Sequence, residues 1–335
     1  MLRRIIAAVA VAAAFGAVPT GATAQGTKAM KFGLDFISLG RHAPWYVALE
    51  KGFYAEEGLD VEILASRGTA EAVRNVVTGV VDIGLIDVPS LVAAGGAAAD
   101  IKIVHGAYVE APYCIFSLDP GAAIRTPADI VGIRLGSSSA SFVPRVWAAF
   151  LRQQGIEGSF EIVNIDPAGR VPMLVQGDVD AIDLFVMSEP GIRRAAGDRE
   201  PVCLFAADFG LGLYSNSIGT TSARIASDPE MVRGFVRASM REWQYTMANR
   251  DEAAEIMVKH VPALDPAVVR AEIDIIERVG INDDVRANGF GHIDPERFAS
   301  TVAFINDNAD ITGTPRTAED IFVPGFGPET PILPQ

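Results

Sequence analysis

Residues 72–87 read AVRNVVTGVVDIGLID, and residues 170–185 read RVPMLVQGDVDAIDLF. Superposed at a constant offset of 98, Val73, Val76, Val77, Gly79, Val81 and Asp82 fall on Val171, Leu174, Val175, Gly177, Val179 and Asp180. In both stretches apolar residues three and four apart mark one helix face. A glycine then supplies a left-handed cap, and a short apolar run follows that suits a buried parallel strand. The chain therefore carries one α/β unit twice.

Working outward, the first copy predicts strands over 31–37, 59–64 and 81–86, with helices over 42–53 and 69–78. The second predicts strands over 132–136, 160–164 and 179–185, with helices over 142–154 and 169–176. Two βαβαβ units imply two open α/β lobes. In such sheets ligands bind beyond the carboxyl ends of the strands, so two facing lobes share one cleft. The extended segments 108–119 and 209–221 flank the second copy and are the natural crossings between lobes. Helices are expected beyond them at 228–247, 251–260, 265–278 and 294–308, three opened by Asp228-Pro229, Asp265-Pro266 and Asp294-Pro295. These helices are expected to brace the first lobe. The domain reading is a leader over 1–24, lobe I over 28–115 plus 218–335, and lobe II over 116–217.

The leader reading rests on two positive charges within Met1 to Arg4, an apolar run from Ile5 to Val18, and Ala22-Thr23-Ala24 before Gln25. That is the layout of a secretory signal, and its apolar run is too short to span a bilayer. The remaining chain of about 310 residues exceeds one ordinary core. Hydrophobic residues at 49% and charged residues at 21% place it among globular proteins. Net charge is −14, or −16 without Arg3 and Arg4, which argues against nucleic acid or an anionic membrane as partner. Cys114 and Cys203 each sit in an apolar strand-like run, which fits a disulfide in an oxidising compartment and fits two buried thiols equally.

The segment LDFISLGRHAPWYVALEKGFYAEEGLDVEI, residues 34–63, carries Ala48, Lys51-Gly52-Phe53-Tyr54 and Gly58-Leu59-Asp60-Val61. With VDIGLIDVPSL at 81–91 and GHIDPERF at 291–298, it resembles the periplasmic binding proteins related to the thiamine-pyrimidine-precursor synthase. Alkanesulfonate- and taurine-binding proteins belong to the same group. The resemblance implies a type II periplasmic-binding-protein fold, two α/β lobes with a central ligand cleft and two crossover strands. It also implies a small-molecule ligand and, as partners, the permease and ATPase of an ABC importer at the inner membrane. The expected function is capture of a pyrimidine-like or other nitrogen heterocycle by a periplasmic monomer without cofactor. Sulfonate, taurine or aromatic-acid binding is the alternative, and an exported enzyme a further one.

Candidate ligand residues follow from strand ends and helix starts. Phe36 offers a face for stacking, where pyrimidine-type relatives carry tryptophan after the same aspartate. Ser38, the amides around Gly40, and His42 occupy the loop that opens the first helix. Thr69 is both a helix cap and a donor. Asp87 follows the third strand, as an acceptor for ring amino groups or as the cap of a helix begun by Pro89 and Ser90. Ser137, Ser138 and Ser139 form a hydroxyl-rich loop at a helix amino terminus, suited to an anion. The resemblance implies a carboxylate near the end of this strand in pyrimidine-binding relatives, which makes Glu189 the expected partner for a ring nitrogen, with Tyr214 and Asn216 closing the site from behind. No P-loop, GxSxG or HExxH motif occurs, and the four histidines show no metal spacing.

Overall fold

The structure is a computed structural model that describes residues 27–138 and 141–334. The expected leader, residues 1–24, and Ser139 lie outside these residues. Among the described residues ten strands form two five-stranded sheets. They are β1 (Lys28–Gly33), β2 (Leu59–Leu64), β3 (Ile83–Asp87), β4 (Ile101–Gly106), β5 (Tyr113–Asp119), β6 (Arg134–Ser137), β7 (Glu161–Asn164), β8 (Ala181–Phe185), β9 (Glu200–Phe205) and β10 (Asn216–Thr221).

The sheet orders are β2-β1-β3-β10-β4 and β7-β6-β8-β5-β9. Each sheet has its second, first and third strands in parallel, and a crossing strand that runs antiparallel to both its neighbours. The two α/β lobes are thus the same topology built twice, as the repeat implied. Strands β3 and β8 stand 98 residues apart at both ends, and the glycines that precede them, Gly79 and Gly177, are left-handed at φ 71° and 83°. The chain passes between sheets over 107–112 and returns over 206–215. Tyr113 already pairs with Phe185 in the second sheet, and Asn216 with Asp87 in the first.

The acidic-proline signals mark helix starts as expected. Asp228, Asp265 and Asp294 each accept a backbone N–H from the first turn of the helices Pro229–Ala248, Pro266–Gly280 and Pro295–Asn308. The first of these packs on lobe I, where Phe235 stacks against Trp45 and Tyr54 and tilts against Phe32. The other two do more than brace lobe I. Helix Pro266–Gly280 lies against the loop Gly40–His42 and also against helix Glu189–Ala196 of lobe II, with Asp265 paired to Arg194. Helix Pro295–Asn308 touches both Val88–Ala94 and Val143–Gln153. Their apolar faces thus cover both sides of the interlobe seam, which periodicity alone could not distinguish from one-lobe packing.

Cys114 in β5 and Cys203 in β9 form a disulfide between adjacent strands. No helix among the described residues is long and apolar enough to cross a membrane.

Candidate functional site

The carboxyl ends of β1 and β3 face those of β6 and β8, and a cavity lies between them. Its wall comes from both lobes: Asp35, Phe36, Arg41 and Thr69 on one side, Ser141, Arg170, Asp183 and Phe185 on the other. Its volume is about 310 Å³, part of it open to solvent. The lobes touch across it, with the Phe142 amide of lobe II 3.3 Å from Thr69 Oγ1 of lobe I.

Two buried ion pairs dominate. In lobe I, Asp35 accepts from Arg41 Nη2 at 3.3 Å and from His42 Nε2 at 2.8 Å. Burial alone would raise the Asp35 pKa, but the Arg41 charge and the His42 hydrogen bond outweigh it and hold the carboxyl well below the carboxylate range. His42 has its own pKa lowered by burial, so the neutral ring donates Nε2–H to Asp35 and accepts the Leu39 N–H on Nδ1 at 3.1 Å. In lobe II, Arg170 Nη1 lies 3.1 Å from Asp183 Oδ1, and Ser141 donates to Asp183 Oδ2 at 2.7 Å. Burial raises the Asp183 pKa against the pull of Arg170.

The two arginines reach across the cleft. Arg41 sits over the Phe36 ring at 5.3 Å and over the Phe185 ring of the opposite lobe at 4.9 Å. Arg170 returns the contact, 5.6 Å over Phe36. Such contacts are worth roughly 0.5–2 kcal/mol each when desolvated.

The loop that carries Arg41 is held from behind. Glu272 of helix Pro266–Gly280 accepts the Arg41 N–H at 3.0 Å. A Cβ on Gly40 would lie 2.7 Å from both Val269 Cα and Glu272 Oε2, so only glycine permits this approach. The amides around Gly40, expected to face a ligand, are committed to Glu272 instead. Burial pushes the Glu272 carboxyl up to about 7, against the charge and amide of Arg41.

The other expected residues divide. Phe36 and Thr69 line the cavity. Thr69 is the first helical residue rather than the cap, and its Oγ1 accepts the Phe142 N–H of lobe II at 3.3 Å. Ser138 accepts from Arg170 at 3.0 Å, and Ser137 is buried at the end of β6. Ser38 bonds Tyr46 at 3.0 Å. Asp87 is a buried cap, taking the Ser90 N–H at 2.9 Å. Its Oδ1 also accepts the hydroxyls of Tyr113 and Ser215, which stand at the ends of the two crossings. Asp87 is thus a pin at the hinge, where a ring-recognition role was expected. Asn216 lies behind Asp35 and adds a little to the depression of its pKa. Tyr214 faces helix Pro295–Asn308, accepting the Asp294 N–H at 2.8 Å under Arg297, and is not in the cavity wall. Glu189 is likewise off the wall, its carboxylate paired with Arg193 at 2.8 Å on the outer face of its helix.

Arg170, Asp183 and Phe185 were not among the expected ligand residues. The signal for them lies in the repeat itself. At the offset of 98 they stand over Ala72, Leu85 and Asp87, positions where the two copies differ in character. A charged residue inside an otherwise buried strand such as AIDLF needs a partner, and here the partner is the first residue of the preceding helix.

Two like lobes, a closed cleft at the strand ends and two crossings define the periplasmic-binding-protein fold of type II. The chain belongs to the NMT1/THI5-like family, whose model matches residues 40–253. It is 25% identical over 329 residues to the riboflavin-binding protein RibY of Chloroflexus aurantiacus, covering 93% of this chain and 91% of that one. It is 24% identical over 297 residues to the formylaminopyrimidine-binding protein of Halalkalibacterium halodurans, covering 86% and 88%. A further relative, named 4-amino-5-hydroxymethyl-2-methylpyrimidine phosphate synthase in Legionella pneumophila, is 24% identical over 234 residues, 67% of this chain and 71% of that one. Among solved structures, the alkanesulfonate-binding protein SsuA of Xanthomonas axonopodis pv. citri, bound to MOPS, superposes with a TM-score of 0.70 at 14% identity, covering 90% of this chain and 99% of that one.

Proposed function

We propose that this chain is the substrate-binding component of an ABC-type importer and captures a flat nitrogen heterocycle between its lobes. One observation carries the ligand class. The planar guanidinium of Arg41 lies over both Phe36 and Phe185, one ring from each lobe, at 5.3 and 4.9 Å from their centroids. Two aromatic rings at the wall of one cavity, one from each lobe, suit a flat aromatic ligand, which gains stacking area on them. Riboflavin and formylaminopyrimidine, named for two relatives, are both flat nitrogen heterocycles. The alkanesulfonate reading keeps one support of its own, the pair of guanidiniums at the cavity wall.

We read the chain as a carrier, and the relative named as a synthase keeps an enzyme as the rival. The polar groups at the cavity are committed to one another, His42 to Asp35 and Ser141 to Asp183, which holds them as fixed walls. The leader reading of residues 1–24 supports export to the periplasm; from the family we read the partners as a permease and ATPase, and the chain as working as a monomer. We assign the lobe boundaries to the two crossings, 107–112 and 206–215, slightly before the expected 115/116 and 217/218, because Tyr113 already pairs in the second sheet and Asn216 in the first.

A thermal-shift screen of pyrimidines, flavins, aromatic acids and alkanesulfonates, followed by calorimetry, tests this. The expected result is one site per chain for a flat heterocycle, with the ligand recovered unchanged. Conversion of the ligand to product would make the chain an enzyme, and selective binding of an aliphatic sulfonate would remove the heterocycle.

A further inference from the structure

The cavity wall has an imbalance of hydrogen-bonding groups that constrains the ligand further. Its acceptors are few, and most already hold a donor. Asp35 gives one oxygen to His42 and the other to Arg41, while Asp183 gives Oδ2 to Ser141 and keeps Oδ1 in an ion pair 3.1 Å from Arg170 Nη1, with no hydrogen bond on that oxygen among the described residues. Thr69 Oγ1 is committed to Ser90 and to the Phe142 amide. The donors are in surplus. Two guanidiniums carry ten N–H groups between them. Among the described residues Arg41 has one acceptor, Asp35, and Arg170 has three contacts, the Asp183 carbonyl, the Asp183 carboxylate and Ser138. The Nε groups of both arginines are buried with no acceptor, on side chains only 3% and 2% exposed. A buried donor without a partner is costly, and a ligand that supplies the acceptor recovers that cost.

From this imbalance we infer that the ligand turns an acceptor-bearing edge toward Arg41 and Arg170. Carbonyl oxygens, bare ring nitrogens or a carboxylate satisfy this, whereas exocyclic amino groups would set donor against donor. The inference rests on the proposed flat ligand in this cleft and deepens it. Among heterocycles the favoured class is a dioxopyrimidine edge, alone or fused to a second ring. An amino-substituted edge is disfavoured because it would face the two guanidiniums. Of the two carboxylates that could accept from it, only Asp183 Oδ1 is without a hydrogen bond among the described residues, and it is already paired in charge with Arg170. The geometry is reciprocal: Arg41 comes from lobe I and Arg170 from lobe II, so an acceptor edge placed between them pulls the lobes together.

The experiment is calorimetry on the whole chain with matched pairs that share a ring and differ in edge. Uracil is compared with 2,4-diaminopyrimidine, and 2,4-dioxopteridine with 2,4-diaminopteridine, with propanesulfonate as the non-planar acceptor. We expect the dioxo member of at least one pair to bind ten-fold or more tightly than its diamino partner. Arg170→Lys, which keeps the charge and loses the fork, should cut that ratio by several-fold. Should Arg170→Lys not fold, the wild-type ratio decides alone. Equal affinities, or a tighter diamino ligand, would overturn the acceptor edge and leave the heterocycle reading standing. Propanesulfonate binding in place of every ring would remove the heterocycle while upholding the acceptor edge. Binding by none of the acceptor ligands would overturn the inference.

Discussion

Arg41 of the first lobe lies over the ring of Phe185 in the second, 4.9 Å from its centroid, while its Nη2 is held by Asp35 within its own lobe. One side chain thus couples the ligand wall to the closure of the cleft. Phe185→Ala removes the opposing face, and the ligand should bind roughly ten-fold more weakly, from about 1–1.5 kcal/mol of lost stacking. Glu189→Gln is the control, since its carboxylate serves an exposed pair with Arg193 and affinity should stay within about two-fold. Calorimetry on both variants checks this. Weaker binding in the Glu189 variant alone would return that residue to the site.

Asp87 ties the hinge. It accepts Ser90 at a helix start and the hydroxyls of Tyr113 and Ser215 at the two crossings. Asp87→Ala should lower stability by about 1–3 kcal/mol, since three donors lose a buried partner. Urea unfolding measures it. A change within about 0.5 kcal/mol would show that the crossings hold without this pin.

The pH dependence of stability has a defined sign at Glu272. Its carboxyl rises from 4.5 unfolded to about 7 folded, because burial outweighs the Arg41 charge and amide. The folded chain therefore keeps a proton that the unfolded chain releases. The contribution is fully present below pH 4.5 and is lost as pH rises through 7, on the order of 3 kcal/mol in all. His42, lowered by burial, works in the opposite sense below its ordinary 6.5, so the comparison is made against Glu272→Gln. Between pH 5 and 8 the wild type should lose more stability than the variant. Parallel loss in urea unfolding would contradict the buried proton.

The disulfide staples lobe II away from the cavity. Cys114 and Cys203 are 89 residues apart and bridge β5 to β9. Cys114→Ala with Cys203→Ala should cost about 2–4 kcal/mol, chiefly through a less constrained unfolded chain. Ligand affinity should change less than about two-fold, because neither cysteine is in the cavity wall. A large loss of affinity in the folded variant would mean that the staple shapes the site.

The fold was legible because its signals are local and occur twice. Strand β2 falls on its expected bounds, the helices at 143–153 and 170–176 lie within a residue of theirs, and all three acidic-proline starts are caps. Strand β1 begins and ends earlier than expected, because its pairing with β2 starts at Lys28 and Leu59. The site was legible in part. Phe36 and Thr69 sit where strand ends and helix starts put them, whereas Glu189 and Tyr214 are turned elsewhere by Arg193 and by helix Pro295–Asn308. Which side of a helix start meets the cleft depends on pairing across the lobes, and no local pattern encodes that. The differences between the two copies, Ala72 against Arg170 and Leu85 against Asp183, were the available signal.

Two lobes joined by two crossings and bridged by Arg41 and Arg170 should act as a clamp. Thr69 of lobe I holds the Phe142 amide of lobe II and Arg41 lies over Phe185, so a ring enters between the aromatic faces when the lobes part. Small-angle scattering on the chain, titrated with the ligand found by screening, tests the clamp most directly. The account predicts that the radius of gyration falls to that of the closed structure at one ligand per chain, and that Phe36→Ala with Phe185→Ala stays open at the same concentration. An unchanged radius on saturation with a tightly bound ligand would contradict it.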